Sequence, residues 1–271
     1  MKWRLVWICG VLLLWLWCSP PALAGALAAR LDQYPNWQMK PLAQTARGDL
    51  IYPNWFSGDW TVKTTLVDLQ APLAPDLITP GFESNRELLD QSIAFQVRFI
   101  ESQNLQMNGI ALPIPIPVIF HEMPRQIISD RAFNGLNLAK AYLGDRTVVD
   151  VRVDPKNPNR QITLLTDNRQ LVSTIVARST EAPAPNQFIT TEIFRQEFRG
   201  SSQLYFNEVE TTTSYQQALS QPTNNPEAPV ITADQVTAIY LSPQDPDFFK
   251  AGDRPVALYR YRLEFFPPSL G

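Results

Sequence analysis

The sequence predicts a mostly β protein, built as a single antiparallel up-and-down β-barrel of about nine strands with one helix. Segments in which apolar and polar residues alternate recur from residue 58 to residue 265. Turn signals separate them, and one stretch alone has helical spacing. A β-sandwich and an open curved sheet are the alternatives, because alternation does not show whether the edges of a sheet meet.

A cleavable signal peptide is predicted at residues 1–24. Two basic residues precede an apolar run from Leu5 to Trp17, and small residues follow a proline pair. This order is typical of an export signal, with cleavage expected after Ala24 and an alternative bond after Ala28 or Ala29. The run is shorter than the roughly 20 apolar residues that span a bilayer, so we expect no stable membrane span after cleavage.

Composition limits the chemistry of the mature chain. Both cysteines, Cys9 and Cys18, lie in the predicted signal, so no thiol chemistry is expected. Of the 23 basic residues two lie in the signal, which leaves 21 against 26 acidic ones and a net charge of about −5. A mildly acidic domain without a basic block does not favour nucleic-acid binding.

Residues 25–57 are predicted to form an irregular lead-in. It contains two copies of Tyr-Pro-Asn-Trp, at residues 34–37 and 52–55. Proline fixes its own φ and keeps the preceding residue extended, so each copy presents two rings on a rigid corner. We interpret the copies as aromatic plugs over one end of the barrel, with a ligand cage as the alternative.

The barrel domain is predicted at residues 58–271. The clearest alternation places Trp60 on one face of the first strand, and Phe95 and Phe99 on one face of the second. The nine predicted strands are residues 58–66, 92–101, 147–153, 160–166, 171–178, 188–198, 203–215, 232–241 and 256–265.

Two other segments interrupt the strands. Residues 112–118 carry three prolines at alternate positions, which removes backbone donors and predicts an extended strap. Residues 130–143 have helical spacing, with Asp130 or Ser129 as the cap and Gly144 at the end. This is the one predicted helix.

The run from Tyr52 through Phe56 to Gly58-Asp59-Trp60 resembles the opening of an uncharacterised family of cyanobacterial and plastid proteins. That family is defined only as a domain of unknown function, and the resemblance extends over most of the mature chain. It implies a photosynthetic membrane system as the setting. With the export signal, it implies a location in the thylakoid lumen or periplasm.

Gly58-Asp59-Trp60 also looks like the Gly-x-Trp signature of lipocalin-like, or calycin, barrels. In those barrels the tryptophan packs against a basic residue near the last strand. The resemblance implies that Arg260 or Arg262 takes this place, beside Tyr259 and Tyr261. It also implies a structural role for these arginines, Gly58 and Trp55, without implying an activity.

No spacing in the chain specifies a catalytic, metal or cofactor site. His121 is the only histidine, and no Gly-x-Ser-x-Gly elbow accompanies it. One histidine without cysteines is a poor metal set. Inward carboxylates in consecutive strands, including Glu192 and Glu208, leave a hydrolase that uses them or His121 open as an alternative.

The preferred hypothesis is an exported, non-enzymatic binding protein or assembly factor. Its partner would be a small apolar ligand or a membrane-protein complex. A structural subunit of such a complex is a further alternative. The predicted ligand-binding residues are Trp60, Phe95, Phe99, Glu192, Tyr259 and Tyr261.

Overall fold

The computed structural model describes residues 25–79, 81–102, 125–200, 205–219 and 228–268. The predicted signal peptide, the proline strap at 112–118 and His121 lie outside these ranges. In the part of the chain that is described, no helix combines the length and apolar character needed to cross a membrane.

The fold is mostly β, as the sequence predicts: one antiparallel sheet curls into a half-barrel. Its strands follow the order β2-β5-β4-β3-β12-β11-β10-β9-β8-β7-β6, and β1 pairs with β8 off this path. The strands are β1 Gln44–Thr45, β2 Ile51–Tyr52, β3 Gly58–Gln70, β4 Ser92–Ser102, β5 Gln126–Ser129, β6 Val148–Asp154, β7 Asn157–Leu165, β8 Gln170–Glu181, β9 Gln187–Arg199, β10 Tyr205–Gln217, β11 Ile231–Leu241 and β12 Ala257–Phe266.

All nine predicted strands are present, as β3, β4 and β6 to β12. The three others, β1, β2 and β5, have two, two and four residues. Alternation is recognised over four to eight residues. Strands β1 and β2 are shorter than that, and β5, with the sequence Gln-Ile-Ile-Ser, does not alternate. From β6 to β12 every strand pairs with the next, which is the up-and-down connectivity that the sequence predicts.

The central strands β9 to β12 are covered on both faces. Alternate residues such as Phe188, Ala233 and Phe265 pack in one apolar cluster, on what we call the first face. Their neighbours on the other side of the same strands, such as Ile189 and Val236, pack in a second cluster, on the second face. Side chains of adjacent residues in a strand point to opposite faces, so the two clusters are separated by the sheet.

Within the described ranges four α-helices accompany the sheet: α1 Ala26–Asp32, α2 Phe82–Arg86, α3 Arg131–Leu143 and α4 Phe248–Ala251. Only α3 is predicted from the sequence. Asp130 caps it as predicted, accepting the N–H of Phe133 at 3.2 Å, and Gly144 ends it. The other three have seven, five and four residues, too few to show a helical period.

Helix α3 joins the two ends of the strand order. It packs against β4, near one end, and against β6 and β7, at the other end. Because the helix follows β5 directly and precedes β6, the chain crosses the opening of the half-barrel through this helix.

The lead-in at 25–57 is more regular than predicted. Helix α1 lies on the second face with the first Tyr-Pro-Asn-Trp copy, where Trp37 is buried and its indole N–H donates to the carbonyl of Arg30 at 2.8 Å. The second copy enters the first face, where Phe56 is fully buried. The two copies therefore pack on opposite faces of the sheet, and not together over one end of a barrel as interpreted from the sequence.

The expected contact between Trp60 and an arginine of the last strand is wrong. In the antiparallel register of β3 with β12, Arg260 lies opposite Asp68 and Arg262 opposite Thr65, several residues along the strand from Trp60. Arg260 instead pairs with Asp234 at 2.6 Å and lies 5.3 Å from the ring centroid of Tyr34 on the second face.

Candidate functional site

Three of the predicted ligand-binding side chains pack in the aromatic interior of the first face. Trp60 and Phe99 are 8% and 7% exposed, and Phe95 packs against the same cluster. The Trp60 indole donates to the carbonyl of Phe56 at 2.7 Å, which satisfies its polar edge. The ring of Phe56 lies 4.9 Å from that of Phe99. These rings fill the interior, and ligand contact by them stays a prediction.

The two tyrosines of β12 lie further along the same face. Tyr261 packs between two apolar clusters, and Tyr259 is buried against Phe82 of α2. The hydroxyl of Tyr259 accepts the side-chain N–H of Asn85 at 3.1 Å. Burial raises the pKa of both tyrosines. Their packing is that of core residues, and their predicted role as ligand contacts is likewise untested.

The residues predicted to be structural also have defined places. Gly58 begins β3 with φ of 109°, a conformation that favours glycine. Trp55 stacks on Phe56 with 4.2 Å between the ring centroids, and its indole donates to Pro185 in the β8–β9 loop at 3.3 Å. Trp55 thus holds the lead-in against the β8–β9 hairpin.

Glu192 lies on the first face in a polar cluster at the edge of the aromatic interior. Its carboxylate pairs with the guanidinium of Arg178 at 2.7 Å, and the two side chains are 15% and 10% exposed. Arg178 also donates to Asn159 at 3.0 Å and to the carbonyl of Gly48 at 3.2 Å. The cluster therefore ties β7, β8, β9 and the lead-in together.

A small cavity of about 100 Å³ adjoins this cluster, lined by Asp49, Leu50, Tyr52, Ser129, Arg131 and Glu192. The pKa of Tyr52 lies well above its usual value, first because of burial and then because of the neighbouring Tyr215 and the Glu192 carboxylate. Burial also raises the pKa of Tyr215. The cavity is large enough for water or one small polar group, and these tyrosines stay protonated beside it.

A larger open groove runs outside this cavity, with a volume of about 1260 Å³. We call it the edge groove; it is lined by residues 25–27, 42–47, 49–51 and 178–183. Asp49 and Leu50 line both the groove and the small cavity, so the two adjoin. Leu42 and Ile51 give it apolar walls and are 82% and 41% exposed.

The groove combines these apolar walls with four charged side chains, Arg47, Asp49, Arg178 and Glu181. Ligand sites in proteins are typically mostly apolar with a few placed polar groups. The arrangement suits an amphipathic molecule or an extended peptide better than a fully apolar one.

Glu192 and Glu208, the two carboxylates named for a hydrolase, do not form one catalytic pair. Glu192 lies opposite Thr211 in the β9–β10 register, and Glu208 lies opposite Arg195. The parity of the strands puts Glu192 on the first face and Glu208 on the second, where Lys40 binds it. Separated by the sheet, they cannot flank one scissile bond. The described residues hold no group of three or more metal-ligating acids, histidines or cysteines.

Sequence reasoning identified Glu192 but missed Arg178, Tyr52 and the edge groove. The two ends of the groove, at 42–51 and 178–183, are more than 120 residues apart in the chain, and no local pattern links them. The Arg178–Glu192 pair could have been inferred from the sequence, although the indication is weak. The two charges lie on either side of the predicted loop at 182–186, close enough to pair across a hairpin.

Comparison with known proteins adds a family and no activity. A model of a family described only as a domain of unknown function matches residues 44–269. No curated protein and no solved structure matches the chain significantly. Helix α1 and the first Tyr-Pro-Asn-Trp copy precede the matched region.

Proposed function

Because the chain belongs to the DUF6816 family, whose description carries no activity, we propose its function from its geometry: an exported protein that acts by binding and not by catalysis. The edge groove is its binding surface. The ligand is a small amphipathic molecule or an extended segment of a membrane-protein complex, and the setting is the lumenal or periplasmic side of a photosynthetic membrane.

The observation that carries this proposal is the pair of exposed apolar side chains in the groove. Leu42 is 82% exposed and Ile51 is 41% exposed, and both line the same groove of about 1260 Å³. Exposed apolar surface grouped in a concave site, with charges at its rim, is typical of interaction sites. Typical small-molecule pockets have about 300 to 1,000 Å³, so the groove has ample room for such a ligand.

The tight packing of the aromatic interior favours the edge groove, and not the interior, as the place where a ligand binds. The aromatic rings around Phe56 contact one another at centroid distances between 4.2 and 6.3 Å. A ligand among them would have to displace well-packed rings, whose burial contributes to the stability of the fold.

The state of the carboxylates supports binding over catalysis. Glu192 is held by Arg178, and Glu210 by Arg30. A catalytic acid or base must reach a proton of the substrate, and these carboxylate oxygens are already bound to guanidinium groups. Arg178 lines the groove, and its pair with Glu192 holds that part of the wall in place, which favours selective binding.

The test compares two variants that place a charge at an exposed apolar position. Leu42→Glu lies in the groove, and Phe249→Glu, at a side chain that is 90% exposed, lies outside it. Each protein is purified from its native host and analysed by native mass spectrometry. We expect wild type and Phe249→Glu to carry the same ligand or partner, and Leu42→Glu to have lost most of it.

Two results would contradict the proposal. One is a Leu42→Glu protein that retains the wild-type ligand or partner. The other is a wild-type protein that is repeatedly isolated empty and monomeric. Thermal unfolding of both variants controls for damage to the fold, and we expect no change because both side chains are largely exposed.

A further inference from the structure

Glu181 lines the edge groove, and only one of its two carboxylate oxygens has a hydrogen-bond partner. Oε1 of Glu181 accepts the backbone N–H of Leu27 at 3.0 Å. Oε2 is buried and has no hydrogen-bond donor among the described residues. A buried polar atom without a partner is costly, and native structures contain few of them.

The backbone nitrogen of Gly25 is the candidate donor for Oε2. Gly25 lines the same groove as Glu181 and precedes helix α1, whose second residue, Leu27, already binds the carboxylate. Two residues of chain span at most about 7 Å. The nitrogen of Gly25 therefore lies within about 7 Å of the Leu27 nitrogen, which is already bound to the carboxylate.

We propose that the α-ammonium group of Gly25, created by removal of the signal peptide, pairs with Oε2 of Glu181. Hydrolysis of the Ala24–Gly25 peptide bond consumes one water, leaves a carboxylate on Ala24 and frees an amine on Gly25. That amine binds a proton near neutral pH, since its usual pKa is about 7.7 to 8.0. The proposal rests on the export part of the proposed function.

The structure favours this cleavage bond over the alternatives after Ala28 or Ala29. Either alternative would remove Leu27, which is 4% exposed in the second-face cluster and donates to Glu181. It would also leave Arg30 without the helical turn that precedes it. Cleavage after Ala24 keeps all of α1.

The electrostatics around the site fit an ammonium ion. The charged side chains that share the groove with Glu181 are Arg47, Asp49 and Arg178. Arg178 is bound to Glu192, and Arg30 of α1 is bound to Glu210, so neither supplies the missing charge. The N-terminal end of a helix repels a cation, and the Glu181 carboxylate offsets that repulsion.

The consequence is a link between processing and the groove. The ion pair fixes the first turn of α1 at one end of the groove, so the groove takes its final form only in the processed protein. In the precursor the nitrogen of Gly25 belongs to an uncharged amide.

The experiment uses the processed protein, purified from its host after expression of the whole precursor. Mass spectrometry first identifies the N-terminal residue. Competitive labelling of the α-amine across a pH range then gives its pKa in wild type, Glu181→Gln and a control, Glu83→Gln. The amide introduced by Glu181→Gln keeps an oxygen that can accept from Leu27, whereas Glu83 is exposed and pairs with Arg86 elsewhere on the molecule.

We expect the pKa of the Gly25 amine to lie at least about one unit above its usual 7.7 to 8.0 in wild type and Glu83→Gln. In Glu181→Gln it should return to that range. Acetylation of the amine should lower the melting temperature of wild type and have no further effect on Glu181→Gln.

Equal α-amine pKa values in wild type and Glu181→Gln would overturn the pairing. A mature chain that starts at a residue other than Gly25 would overturn it as well. Neither result bears on Leu42 and the ligand, so the binding proposal is decided separately.

Discussion

A buried ion pair between Arg30 and Glu210 links the lead-in to the sheet. The guanidinium donates two hydrogen bonds to the carboxylate, at 2.9 and 2.8 Å, and the two side chains are 8% and 0% exposed. The hydroxyl of Tyr240 donates to the same carboxylate at 2.8 Å, and Trp37 lies 3.9 Å from the guanidinium carbon. Every charge is thus matched where water cannot reach it.

Removing one partner of this pair should be far more damaging than removing both. We expect Arg30→Met to lower the free energy of unfolding by about 3 to 5 kcal/mol, because it leaves an uncompensated buried carboxylate. The double variant Arg30→Met/Glu210→Leu should recover most of that loss. Urea denaturation measures both values, and a double variant no more stable than the single one would contradict this account.

The arginine of the exposed pair Arg86–Glu83 provides the control. Arg86→Met should leave the urea midpoint unchanged, since exposed ion pairs contribute little to stability.

Helix α3 depends on its cap for its position across the opening of the half-barrel. Asp130 accepts the N–H of Phe133 at 3.2 Å and also binds Arg98 of β4 at 2.6 Å. Asn134 in the first turn of α3 donates to the carbonyl of Arg98 at 3.0 Å. The start of the helix is therefore tied to the sheet by side chains on both elements.

Substitution of the cap tests this attachment. We expect Asp130→Ala to lower the free energy of unfolding by about 1 to 2 kcal/mol, because it removes the cap acceptor and the pair with Arg98. Asp130→Asn should cost less, since its side-chain oxygen still caps the helix. Asp145→Ala, at an 86% exposed side chain just beyond the same helix, is the matched control and should have no effect. Equal losses for the alanine and asparagine variants at 130 would contradict a capping role.

The sequence located long elements well and short ones poorly, for a physical reason. Strands such as β4 and β9 extend over many residues, so the alternation of buried and exposed side chains repeats several times. Helix α1 has seven residues and directly follows the predicted cleavage region. Its small and apolar residues therefore resemble the end of the signal peptide and do not indicate a helix. Glu192 was identified by its parity with Phe188. The edge groove was not, because it exists only after distant segments have come together.

The eight tyrosines are spread over the whole molecule, and loss of solvation raises the pKa of all of them, even of Tyr142, which is 38% exposed. In the unfolded chain they would lose their protons near pH 10. In the folded protein they keep them, so above pH 10 the native state holds more protons than the unfolded state. By linkage, their contribution to stability is complete below about pH 10 and falls as the pH rises beyond it.

An alkaline titration tests this directly. We expect tyrosinate absorbance to stay low through pH 10 and then to rise together with the loss of the far-ultraviolet circular dichroism signal. The same titration in denaturant should show all eight tyrosines ionising near pH 10. Ionisation of most tyrosines near pH 10 in a protein that keeps its β signal would contradict the burial of these rings.

The position of β12 constrains how the protein reaches its final form. This last strand lies between β11 and β3, so it joins the strands β2, β5, β4 and β3 to the run from β11 to β6. The pairing of β3 with β12 joins residues nearly 200 positions apart, and such distant contacts form late because closing the intervening loop is entropically costly. A chain threaded through a membrane from its N-terminus would have to wait for its final residues to emerge before the sheet could close, so we expect folding to follow translocation.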